Sequence, residues 1–124
     1  MKKHILIVDD EEDIRSLLGE FLGSSGYTIS AVPSLAAALE SIRKQPPSLI
    51  ISDLQLEDAD GLEMIAKLRA AHPDAPVILL TGVLFGPKAV NDVLLSKVTC
   101  YLAKTCSLAN ILENVRRLTE TPIS

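Results

Sequence analysis

Three short runs of this chain, Ile5–Val8, Leu49–Ser52 and Val77–Leu80, are apolar at almost every position rather than at alternate ones, and a fourth, Tyr101–Ala103, follows the same habit. A strand with one wet face alternates, so an unbroken apolar run of this length fits a strand buried on both faces. Between the runs the apolar residues recur at helical spacing: Ile14, Leu17, Leu18, Phe21 and Leu22; Leu35, Ala38, Leu39 and Ile42; Leu62, Ile65, Ala66 and Leu68; Leu108, Ile111, Leu112, Val115 and Leu118. Strands and helices therefore alternate along the chain. That pattern predicts an α/β fold, a doubly wound parallel sheet with helices on both faces. Right-handed crossovers leave few topologies, and for five strands the order 2-1-3-4-5 is a common one.

The punctuation agrees. Gly23-Ser24-Ser25-Gly26 ends the first helix before a strand at Tyr27–Val32. Ser34 is an N-cap for the second helix, and Pro46-Pro47 stops it. His72-Pro73-Asp74-Ala75-Pro76 breaks the third. Gly86-Pro87 opens a helix over Lys88–Lys97, Val98–Ala103 forms the fifth strand, and Ser107 caps the last helix. With 124 residues, 48% of them hydrophobic, one domain is expected, spanning 1–120, with 121–124 a tail or the start of a linker.

Several functions are disfavoured by composition. A formal net charge of −4 without a Lys/Arg cluster opposes direct nucleic acid binding. No apolar stretch is long enough to span a bilayer, and Met1-Lys2-Lys3-His4 leads straight into a strand without a signal-peptide core, so a cytoplasmic protein is expected. Cys100 and Cys106 flank a strand that holds them roughly 15–20 Å apart, too far for a disulfide. His4 and His72 read as surface or strand-edge residues with no partner acid at ligand spacing.

In the order 2-1-3-4-5 the carboxyl ends of the strands share one edge, where ligands of such sheets bind. Asp9, Asp10, Asp53, Thr81 and Lys104 all stand there. Singly, each has a duller reading: an acidic helix cap, a loop start, a turn hydroxyl, a surface lysine. Jointly they make a site for a metal and a phosphoryl group. Clustered carboxylates favour a hard cation such as Mg²⁺, with Asp10 and Asp53 as direct ligands, the Gln55 main-chain carbonyl a third, and Asp9 acting through water. Lys104 and Thr81 suit a phosphoryl group, and one carboxylate can serve as nucleophile and carry an aspartyl phosphate.

The motifs Ile7-Val8-Asp9-Asp10-Glu11, Asp53-Leu54 with Asp60-Gly61, Leu80-Thr81-Gly82 and Tyr101-Leu102-Ala103-Lys104 resemble, in order and spacing, the receiver domain of bacterial two-component response regulators. The resemblance covers essentially the whole chain and implies a (βα)5 flavodoxin-like three-layer sandwich. It implies Asp53 as phosphoacceptor, taking its phosphoryl group from a sensor histidine kinase or a histidine phosphotransfer protein, with Mg²⁺ at Asp9 and Asp10. It further implies Lys104 as the cation at the acyl phosphate, Thr81 and Tyr101 as a coupled switch, and an output surface made by the helix Lys88–Lys97, the strand Val98–Ala103 and the helix from Ser107. That surface would serve a homodimer or an output domain. Such a domain assists its own phosphorylation and slow dephosphorylation without being a conventional turnover enzyme.

Three residues depart from the family habit: Thr105 follows the lysine where proline is usual, Glu57 replaces a loop proline, and Lys97 stands where glycine commonly ends a helix. They leave a second reading, a degenerate receiver that binds its partner without phosphorylation. An aspartyl-phosphate hydrolase is disfavoured, because Gln55 occupies the place of its general acid and the chain has no room for a substrate cap.

Overall fold

The computed structural model describes residues 3–53, 61–72, 75–81, 100–103 and 106–119, with the backbone alone for 61–64, 81, 100 and 101. Five parallel strands, β1 (His4–Val8), β2 (Thr28–Val32), β3 (Leu49–Ser52), β4 (Val77–Thr81) and β5 (Cys100–Ala103), form one sheet. Their order is β2-β1-β3-β4-β5, as the alternation predicts. Four described helices cover it: α1 (Glu12–Ser24), α2 (Leu35–Lys44), α3 (Gly61–Ala71) and α4 (Leu108–Thr119). The predicted helix over Lys88–Lys97 lies outside the described residues.

The unbroken apolar runs are explained by two cores, one on each face. Leu6, Val8, Ile50, Val77 and Leu79 point to α2 and α3, where they meet Ala38, Ile42, Ile65 and Leu68. Ile5, Ile7, Ile51, Ile78 and Leu80 point the other way, against Leu18 and Leu22 of α1 and Ile111 and Val115 of α4. Period-2 side chains of one strand thus feed both layers. Full burial of each such residue contributes up to about 1.5–3 kcal/mol.

Helix ends follow local chemistry. Ser34 Oγ accepts from the Ala37 amide at 3.1 Å, and Ser107 Oγ from the Asn110 amide at 3.1 Å. At the end of α1 the Tyr27 amide reaches back to the Leu22 carbonyl and the Gly26 amide to Gly23, each at 3.2 Å. This Schellman closure needs a left-handed residue, supplied by Gly26 at φ 105°. Tyr27 therefore finishes the helix cap, and β2 begins at Thr28 rather than at Tyr27 as its apolar character suggested.

His4 is a correction. It is the first residue of β1 and only 7% exposed, because the sheet extends past it: the Ser48 amide donates to its carbonyl and the Thr28 amide to that of Lys3. Its Nε2 lies 2.7 Å from Ser30 Oγ. His72 is half-buried, its Nε2 2.8 Å from the Pro47 carbonyl. Cys106 is partly buried and packed on the α1–α4 face. Among the described residues no helix is long and apolar enough to cross a membrane.

Candidate functional site

Strand register builds the site. Val8 pairs with Ser52, so the next residues, Asp9 and Asp53, stand side by side at the carboxyl edge. The Asp53 amide donates to the Val8 carbonyl at 2.9 Å, extending the β1–β3 ladder one step beyond the strands. Asp9 is tied on the opposite side, its amide donating to the Val32 carbonyl of β2 at 3.0 Å. The two acids inherit the rigidity of the sheet. Asp9 is 2% exposed and Asp53 7%, whereas Asp10, one residue into the loop, is exposed.

The oxygens of Asp9, Asp10 and Asp53 lie within 4.8 Å of one another, the one acid grouping of this kind among the described residues. For the two buried carboxylates that separation means a repulsion of at least about 3 kcal/mol at an effective dielectric constant near 20. A cation relieves it. Two oxygens sharing an octahedral Mg²⁺ stand about 2.9 Å apart when adjacent and about 4.2 Å when opposite. Oxygens within 4.8 Å of one another are close enough to share one such ion. Asp9 Oδ1 already accepts from the Glu11 amide at 2.9 Å, which commits that oxygen to the loop.

The acidic-cap reading of Asp9-Asp10 holds only in part. Glu11 is the N-cap of α1 and offers no side-chain cap; the Asp9 carboxylate takes the Glu11 amide instead, and Glu12 and Asp13 line the positive first turn. Arg15, which sequence reasoning passed over, donates from Nη1 to the Asp9 carbonyl at 2.7 Å. The available signal was its place one turn into a helix that starts right after the acids. Ser52 Oγ donates to the Asp53 carbonyl at 3.1 Å inside the sheet.

Thr81 ends β4 and pairs with Ala103, so its backbone belongs to the same edge. Tyr101 pairs with Leu79 on β5. Gln55, Glu57, Lys97, Lys104 and Thr105 lie outside the described residues. A cleft of about 510 Å³ sits between the ends of α2 and α3, lined by Leu39, Ile42, Arg43, Pro46, Ala71 and His72. It is largely apolar and at the opposite end of the sheet from the acids, so it is no rival for phosphate chemistry.

Comparison with known proteins gives a consistent answer. The family model for the response regulator receiver domain matches residues 5–116. The acid tolerance regulatory protein ActR of Rhizobium meliloti is 33% identical over 110 residues, which are 89% of this chain and 56% of that protein. The transcriptional regulatory protein GlrR of Escherichia coli is 37% identical over 79 residues, 64% of this chain, and this chain spans 18% of its length. A crystal structure of the response regulator TrrA of Thermotoga maritima, in complex with Mg²⁺-BeF, is similar with a TM-score of 0.82 at 32% identity, over 95% of this chain and 99% of that one.

Proposed function

Because the chain belongs to the response regulator receiver domain family of two-component systems, we propose that Asp53 is its phosphoacceptor, working with Mg²⁺. The observation that carries this reading is the meeting of three carboxylates at the ends of β1 and β3, with Asp53 buried and its backbone held by the sheet. The donor is a phosphohistidine on a sensor kinase or a histidine phosphotransfer protein.

An Asp53 carboxylate oxygen attacks phosphorus in line; the P–O bond forms as the P–N bond breaks, and the imidazole leaves with its electron pair. Asp10, Asp53 and the Gln55 carbonyl would hold the metal, with Asp9, one oxygen committed to the Glu11 amide, supporting it through water. When bound, Mg²⁺ neutralises charge on the phosphoryl oxygens. Lys104 is the second cation for that charge. Thr81, at the end of β4, donates its hydroxyl to a phosphoryl oxygen, and Tyr101 on β5 follows its movement. The unit of function runs from 1 to 120, acts in the cytoplasm and is not a turnover enzyme. Its output face comprises Lys88–Lys97, Val98–Ala103 and the helix from Ser107, and it meets a second copy or an output domain.

The test is modification by acetyl phosphate with Mg²⁺, read by intact mass. Wild type takes up one phosphoryl group and Asp53→Asn none; equal modification of both removes the assignment. A wild type that stays unmodified, yet binds its partner, is the degenerate receiver that Thr105, Glu57 and Lys97 leave open.

A further inference from the structure

We propose that Arg15 is a positioning residue for the metal site, acting through the peptide that joins Asp9 to Asp10. The inference rests on the metal-assisted reading above and adds a residue to it. Arg15 reaches back from α1 and donates from Nη1 to the Asp9 carbonyl at 2.7 Å. That carbonyl is half of the Asp9–Asp10 peptide, and a peptide is a rigid plane. Holding its oxygen fixes that plane and with it the position of the Asp10 Cα, the point from which the Asp10 side chain leaves. Asp9 needs no such help, because its amide is bonded to Val32 and its carboxylate to the Glu11 amide. Asp10 is the exposed member of the cluster and lies beyond the last strand bond. Arg15 itself is half-buried, so its side chain is restrained along the helix it leaves.

Two physical effects of Arg15 oppose each other, and their signs separate them. A guanidinium held at the Asp9 carbonyl puts positive charge near the site and repels an incoming cation, so as a mere charge Arg15 weakens metal binding. As an anchor it strengthens binding by presenting Asp10 in place. Loss of a residue that orients a metal ligand typically lowers affinity by roughly 10–100-fold. Position therefore outweighs charge here, and Arg15→Met loosens the site.

The experiment is a Mg²⁺ titration of wild type, Arg15→Met and Arg15→Lys, followed by thermal melting and by the amide resonances of Asp10 and Glu11. Arg43→Met, at the far end of α2, controls for the lost charge. The Arg15→Met midpoint should rise by roughly tenfold, while phosphorylation at saturating Mg²⁺ stays close to wild type. Arg15→Lys keeps the charge and loses the planar fork, so it should weaken binding by roughly threefold or more. A midpoint that is unchanged or lower in Arg15→Met overturns the proposal; should that variant not fold, an unchanged midpoint in Arg15→Lys does the same. A wild type whose melting ignores Mg²⁺ overturns the metal site and this inference together. Wild-type binding with no Arg15 effect overturns this inference alone.

Discussion

His4 shows how much a single side chain depends on its surroundings. Its ring is enclosed at the start of β1, Nε2 is satisfied by Ser30, and Nδ1 is buried without a hydrogen-bond partner among the described residues. Burial pushes its pKa below the ordinary 6.5; the Pro46 carbonyl opposes that shift but does not meet hydrogen-bond geometry. With the folded pKa depressed, the unfolded chain takes up the proton first as pH falls. The stability associated with neutral His4 is present above about pH 6.5 and is lost as pH drops towards the folded value, with a slope of at most about 1.4 kcal/mol per pH unit. Denaturant midpoints of wild type should therefore fall between pH 7 and 5.5, and those of His4→Phe should fall less. Parallel pH profiles would show that His4 is not the group responsible.

At the scale of the element, two glycines three residues apart at the end of α1 should respond in opposite directions. Gly23 is helical and exposed, and a Cβ there meets only Ile29 Cγ1 at 4.0 Å, an ordinary contact. Gly23→Ala should stabilise by about 0.5–1 kcal/mol, since alanine loses less backbone entropy. Gly26 has open space around its missing Cβ but sits at φ 105° to close the Schellman cap. Gly26→Ala should destabilise by about 1–3 kcal/mol through backbone strain alone. Urea midpoints with an unchanged slope measure both effects. A Gly26→Ala variant as stable as wild type would mean that the cap does not require the left-handed residue. The same segment explains why Tyr27 reads as strand in the sequence and serves the cap in the fold: an aromatic residue beside a strand has the composition of that strand, whereas its amide is already committed to Leu22.

For the whole molecule, the consequence of the proposed chemistry is communication across the sheet. Phosphate arrives at the edge made by β1 and β3, while the proposed output face is carried by β5, on the far side of β4, and by α4, which packs across one face of the sheet against α1. Thr81 closes β4 and pairs with Ala103, so movement at one end of β4 is felt directly by β5. A ligand shifts such an equilibrium only by its differential affinity for the two states. With BeF₃⁻ and Mg²⁺, amide exchange or chemical shifts should change across 88–103 and along Leu108–Thr119 as well as around Asp53. Changes confined to the acid cluster would leave a phosphoacceptor without this switch.

What the sequence determined by itself was whatever depends on neighbours along the chain. Apolar runs such as Ile5–Val8 are strands because nothing else buries every position, and Ser34 caps because its hydroxyl reaches an amide three residues on. The acids at strand ends were legible for the same reason, as was the family to which the chain belongs. Only the tertiary structure decided how closely Asp9, Asp10 and Asp53 approach, since that follows from the pairing of Val8 with Ser52, residues far apart in sequence. The burial of His4 likewise comes from β2 and from the segment before β3 closing around it. Local periodicity carries no information on such contacts; they arise when distant segments share a register, and register is set by the fold as a whole.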